Sequence, residues 1–192
     1  MVTIAITGTM GSGKTTVLRC FGRRGAAVMS CDAAVREELA GNRVLAAALR
    51  RAFGEDIFVG GRLSRRRLAG LVFGDRRRLA RLNGLVHPWV KKRVRAFFRK
   101  NKARRCVAVE VPLLFETDFH RLFDVTIGVA IGARVRRQRL KRSGWGREGL
   151  RRMRWQLSER QKLARCDFII DNSRDRQTTY HQIRKLMEDE QW

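Results

Sequence analysis

Gly8-Thr9-Met10-Gly11-Ser12-Gly13-Lys14-Thr15 satisfies G-x-x-x-x-G-K-[ST] at every position. Its glycines let the backbone curl so that successive N–H groups converge on phosphate oxygens. A helix beginning near Lys14 aims its positive end at the same point. Gly11, Ser12, Gly13, Lys14, Thr15 and Thr16 are therefore candidate ATP-binding residues. Lys14 is expected to reach the β- and γ-phosphates, and the Thr15 hydroxyl to ligate Mg²⁺. The context agrees, because an apolar strand at Thr3–Thr7 precedes the motif and an amphipathic helix at Thr15–Arg23 follows it. Such a loop implies a nucleotide but leaves the fate of its phosphate open.

Asp32 follows the second apolar run, in Val28-Met29-Ser30-Cys31-Asp32. In an open α/β sheet, ligands bind outside the carboxyl ends of the strands. A carboxylate at that edge can accept the proton of an attacking hydroxyl; Asp is equally a favoured cap for the helix predicted at Ala33–Ala40. Glu110 falls in an otherwise apolar strand and so must be paired or functional. The Pro112-Leu113-Leu114-Phe115 segment after it offers an apolar wall to a substrate, or plain core. Asn172 can hydrogen-bond a base edge or serve the turn at Asp171-Asn172-Ser173. His87-Pro88 marks a helix boundary, since proline restricts the residue before it. No run of four apolar residues ends in Asp-Glu, which argues against motor ATPases.

Five short apolar runs must position these groups: Thr3–Thr7, Ala27–Met29, Val107–Val111, Val125–Val129 and Phe168–Ile170. Alternating with helical patterns, they predict an α/β P-loop NTPase fold, a five-stranded parallel sheet flanked by helices. The span between the second and third strands is too long for one crossover. It carries helical patterns at Val44–Phe53, Arg65–Phe73, Arg76–Leu85 and Pro88–Lys100, with a turn at Gly60-Gly61. The expected organisation is a nucleotide-binding core (1–42, 101–132, 164–192), a helical insertion beside the sheet (43–100) and a basic helical segment (133–163) that reads as a mobile lid or as a static helical hairpin. The lid is broken at Ser143-Gly144-Trp145-Gly146.

The chain has 192 residues and a net charge of +25, carried by 35 Arg and 8 Lys. Such a balance attracts polyanions, and arginine suits bidentate phosphate recognition; a solvated surface shaped by composition reads the same way. The four cysteines and three histidines are scattered, which argues against a structural zinc site and for buried free thiols. No apolar run approaches the ~18 residues needed to span a bilayer. The amino terminus lacks the basic region and small-residue cleavage site of a signal peptide. A cytoplasmic protein with no membrane partner is expected.

Together these blocks resemble the dephospho-CoA kinase family over nearly the whole chain. ITGTMGSGKTTV is similar to the family's opening loop, and Asp32 to its acid after the second strand. Gly61-Arg62-Leu63-Ser64-Arg65 through Leu71-Val72-Phe73, and Leu82-Asn83 with Val86-His87-Pro88, resemble its helical segment. Val109-Glu110-Val111-Pro112-Leu113-Leu114-Phe115-Glu116 is close to its third-strand motif. Arg139, Leu140 and Arg142 match the start of its lid, while Gln156 and Ala164–Asn172 match the lid's end and last strand. Ser30 stands where a second acid often occurs, Thr9 and Met10 depart at free positions, and the arginine content is atypical.

The resemblance implies transfer of the ATP γ-phosphoryl group to the ribose 3′-hydroxyl of dephospho-CoA, giving coenzyme A and ADP with Mg²⁺. It makes Asp32, Lys14 and Arg142 catalytic, and adds Arg139 and Asn172 to the ATP site. Asp32, Arg65, His87, Glu110, Pro112, Leu113 and Leu114 fall on the acceptor side. ATP and dephospho-CoA are then the partners of a monomer or weak oligomer, with no specific nucleic acid. Two rivals remain: a nucleoside monophosphate or shikimate-type kinase on the same core, and a nucleic-acid-binding P-loop protein motivated by the charge.

Overall fold

The computed structural model describes residues 1–142 and 156–192. In chain order the elements are β1 (Val2–Gly8), α1 (Lys14–Arg23), β2 (Ala27–Ser30), α2 (Cys31–Gly41), α3 (Arg43–Phe53), β3 (Phe58–Val59), β4 (Arg62–Leu63), α4 (Arg65–Val72) and α5 (Arg76–Lys100). They continue with β5 (Cys106–Glu110), β6 (Val125–Ala130), α6 (Ala133–Arg142), α7 (Glu159–Leu163), β7 (Phe168–Asp171) and α8 (Arg176–Asp189). The described residues form two compact units, one of 1–31, 97–142 and 156–192, the other of 32–96.

The first unit is built on a sheet of order β2-β5-β1-β6-β7 in which every pairing is parallel. Alternation along the strands sorts its residues. Ile4, Ile6, Ala108, Ile127, Val129 and Ile170 join Val17 and Phe21 of α1 and Ile183 and Met187 of α8 in one buried cluster. Gly128 points the other way, where a Cβ would come within 2.6 Å of Leu163 on α7; this close approach requires glycine. Two aspartates set the register at the amino edge. Asp124 accepts from Thr3 N and Oγ1, both at 2.8 Å, and Asp167 accepts from Thr126 N and Oγ1 at 2.8 and 2.7 Å. With β1, β6 and β7 aligned there, their carboxyl ends present the loops that bear the candidate residues.

The second unit is helical, as its apolar spacing predicts. Asn42 caps α3 by accepting from Leu45 N at 2.9 Å, and Leu45, Leu49, Leu68 and Val72 are buried. Gly60 and Gly61 form the expected turn, both with positive φ (54° and 74°). The turn closes an antiparallel β3–β4 hairpin that the sequence reading left out.

The expected break at His87-Pro88 is corrected. Pro88 lies inside a continuous 25-residue α5. Proline removes the bond to the carbonyl four residues back, which belongs to Gly84, an exposed residue. The apolar stripe Val86, Val90, Val94 runs unbroken past the proline, and its burial outweighs one missing hydrogen bond. No helix among the described residues is long and apolar enough to cross a membrane.

Candidate active site

β1 ends at Gly8, and the chain curls through residues 9–13 before α1 begins at Lys14. Gly11 and Gly13 hold φ of 81° and 92°, the left-handed region that glycine enters at low cost. Gly13 caps α1 with no side-chain hydrogen bond, and no acid occupies the first turn. By contrast α3, α4, α7 and α8 take side-chain caps from Asn42, Ser64, Ser158 and Asp175. The positive end of α1 is thus left for an anionic ligand. The Ser12 hydroxyl, wholly buried, has no hydrogen-bond partner; such a group is rare without a ligand to satisfy it.

Distant elements brace this loop. Asn172, 3% exposed just beyond β7, donates from Nδ2 to the Ser12 carbonyl at 2.6 Å and accepts from Thr179 Oγ1 at 3.0 Å. A Cβ on Gly13 would lie 2.0 Å from that Nδ2. Arg139 donates to the Ser12 and Asn172 carbonyls at 3.4 and 3.0 Å, and Arg136 to the Met10 carbonyl at 3.2 Å. Leu140 lies 3.3 Å from where a Gly11 Cβ would be. One face of α6 therefore leans on the loop. From α7, Glu159 accepts from Thr9 Oγ1 and from Ile131 N, both at 3.1 Å.

Lys14 is buried and donates from Nζ to the Thr9 carbonyl at 3.0 Å. Thr15 is exposed, and its hydroxyl donates to Glu110 at 3.1 and 3.3 Å. Glu110, 6% exposed at the end of β5, thus stands beside the nucleotide loop. No group of three or more His, Cys, Asp or Glu able to hold a metal occurs among the described residues. One hydroxyl and one buried carboxylate suit Mg²⁺, a hard cation that keeps waters and takes further oxygens from phosphates.

The segment after β5 folds back on itself. Leu114 is fully buried and belongs to the core, while Pro112 and Leu113 keep part of their surface. Lys162 of α7, 0% exposed, donates to the Pro112 carbonyl and pairs with Glu116 at 3.0 Å. Glu116 Oε1 also accepts from Leu157 N at 2.9 Å.

In the second unit Asp32 is exposed in the first turn of α2, which starts one residue earlier, so it is not the N-cap. Its charge is nonetheless favourable at a helix amino end. Arg65 opens α4 and lines an open concavity of about 350 Å³ with Arg36, Glu37, Leu39, Ala40 and Leu63. Burial, helped by Lys91, pushes the His87 imidazole down to about 4, so it is neutral at neutral pH. Gly11, Ser12, Gly13, Lys14, Thr15, Thr16, Glu110, Arg139 and Asn172 share the first unit, and Thr16 is half-buried there. Arg142 is exposed at the end of α6, one turn past Arg139. The expected lid break at 143–146 lies outside the described residues.

The family profile for dephospho-CoA kinase matches residues 2–178, spanning the loop, Asp32, the segment after β5 and Asn172. The chain belongs to the dephospho-CoA kinase family. A dephospho-CoA kinase of Thermobifida fusca is 36% identical over 176 residues, 90% of this chain and 88% of the relative. That of Deinococcus radiodurans is 37% identical over 174 residues, 88% and 83% of the two chains. A solved Thermus thermophilus structure superposes with TM-score 0.83 at 34% identity, covering 98% of this chain and 97% of its own. A shikimate kinase of Aquifex aeolicus, 17% identical with TM-score 0.54 and covering 98% and 97%, shares the P-loop kinase fold alone.

Within this family fold, the sequence reading gave no role to Glu159 or Lys162. One local signal was present: Ser158-x-x-Gln161 forms a capping box, a motif that marks a helix start. The turn expected at Asp171-Asn172-Ser173 is present, with Asp171 accepting from Ser173 N at 2.9 Å, and the Asn172 amide in addition braces the Ser12 carbonyl across 160 residues of chain.

Proposed function

We propose that this chain transfers the γ-phosphoryl group of ATP to the ribose 3′-hydroxyl of dephospho-CoA, giving coenzyme A and ADP. The observation that carries the reading is the family match over 2–178, which runs through the phosphate loop and the acceptor-side blocks alike. Phosphoryl transfer asks for in-line positioning and charge compensation more than for covalent chemistry.

The roles proposed here join the surroundings of each side chain to what membership of the family implies. Lys14 exchanges its bond to the Thr9 carbonyl for the β- and γ-phosphates, and the uncapped start of α1 and the Ser12 hydroxyl hold the phosphate chain. Thr15 and Glu110 would hold Mg²⁺, which when bound supplies charge neutralisation between the β- and γ-phosphates. Asp32 accepts the proton of the 3′-hydroxyl as its oxygen bonds to the γ-phosphorus; the bond from that phosphorus to the β–γ bridging oxygen breaks, and ADP leaves. Arg139 and Arg142 compensate charge on the transferring group. Pro112 and Leu113 give the acceptor an apolar surface, and Arg65 meets its anionic groups. His87, being neutral, contributes hydrogen bonding rather than charge. The protein works in the cytoplasm as a monomer or weak oligomer, without a specific nucleic acid.

Coupled ADP release with purified protein and Mg-ATP tests the reading. Turnover should depend on dephospho-CoA, with AMP and shikimate giving none. Turnover with AMP or shikimate and none with dephospho-CoA would replace it.

A further inference from the structure

Lys162 is a fully buried lysine on a five-residue helix. A methionine of similar length would fill that space without desolvating a charge. Replacing buried ion pairs by apolar residues is often neutral or stabilising, so stability alone is a poor reason for the pair. Its connections suggest another. Lys162 donates to the Pro112 carbonyl and pairs with Glu116 at 3.0 Å, fixing both ends of the segment after β5. One turn earlier on the same helix, Glu159 accepts from Thr9 Oγ1 at 3.1 Å, and the Thr9 carbonyl takes the Lys14 ammonium at 3.0 Å. Polar contacts therefore link the phosphate-loop lysine to Glu159 and Lys162 to residues 112–116, and the single turn of α7 between Glu159 and Lys162 joins the two sets. All of it lies within the first unit.

We infer that α7 is a crossbar: Lys162 and Glu116 are positioning residues that set the 112–116 segment against the phosphate loop and so couple acceptor binding to nucleotide binding. The inference rests on the reading that 112–116 helps hold the acceptor. When a phosphate chain draws Lys14 away from the Thr9 carbonyl, Thr9 and its bond to Glu159 reset. The displacement is carried along α7 from Glu159 to Lys162 and so reaches Pro112 and Glu116, because coupling passes through packed elements and the side chains bonded to them.

The test compares the wild type with Lys162→Met, Lys162→Met/Glu116→Leu and Glu159→Gln. Lys162→Met should lower kcat/KM for dephospho-CoA about tenfold while KM for ATP moves less than about twofold. The double variant leaves no buried unpaired charge, though it loses the bonds to Pro112 O and Leu157 N, and should regain most of the Tm lost by Lys162→Met but keep the kinetic defect. Recovery of both would make the pair mere packing and overturn the inference. Amide hydrogen exchange of 113–117 gives a readout that needs no acceptor. A non-hydrolysable ATP analogue should slow it in the wild type, and not in the double variant or Glu159→Gln. No slowing in the wild type, or equal slowing in all variants, overturns the crossbar even if dephospho-CoA is the substrate. Slowing in the wild type without turnover of dephospho-CoA strikes the proposed function and leaves the crossbar standing. If Lys162→Met does not fold, the double variant and Glu159→Gln decide the matter.

Discussion

Two loops leave the carboxyl edge of the same sheet and are held in opposite ways. The phosphate loop after β1 is gripped from three places in the chain, by Asn172 beyond β7, by Arg136 and Arg139 on α6, and by Glu159 on α7. The segment after β5 depends mainly on one buried lysine and its carboxylate. The difference teaches where redundancy lies. Losing one brace should leave the phosphate loop standing, whereas the segment after β5 has, among the described residues, fewer contacts to fall back on.

The largest expected effect breaks the nucleotide side at the group no brace replaces. Lys14→Ala should lower kcat by on the order of 10³-fold, since it removes the cation aimed at the transferring phosphate; a change below tenfold would remove Lys14 from the chemistry. Asp32→Asn should lower kcat roughly 10²-fold while the Kd for ATP, measured calorimetrically, stays near the wild-type value. Unchanged kcat would leave Asp32 as a helix-terminus charge only.

Asn172→Ala sharpens the comparison, because it removes one brace among several. It should cost about 1 kcal/mol of stability by denaturant titration, because the Ser12 carbonyl keeps Arg139 and the Thr179 hydroxyl keeps the Asp175 carbonyl, and kcat should fall less than in either variant above. The second unit is probed by pH rather than by turnover. His87 has a depressed folded-state pKa, so its contribution to stability is complete above the unfolded value of 6.5 and is lost as pH falls toward about 4. Thermal denaturation should show stability falling with acidification across that window. His87→Gln should flatten the slope there and leave it unchanged above pH 7.

How much of this was legible follows the range of the interactions. β1, β2, β6 and β7 were read to within a residue at each end, because an apolar run bounded by turn residues is a local signal. The Gly8–Thr15 loop was legible for the same reason, its spacing being dictated by what it grips. The continuity of α5 was missed, since the rule for Pro88 is local while the Val86–Val90–Val94 stripe that overrides it acts through burial. Glu110 was rightly expected to be paired or functional, but its neighbour Thr15 lies 95 residues away. Lys162 and Glu159 sat in a stretch that looked merely basic, and only the folded arrangement shows which way each one faces.

The most direct test of the central claim is the identity of the product. After incubation with Mg-ATP and dephospho-CoA, mass spectrometry and ³¹P NMR should show one added phosphoryl group, as a monoester coupled to the ribose 3′ proton, in step with ADP. ADP formed without a phosphorylated acceptor, or a phosphoryl group at another position, would contradict the account.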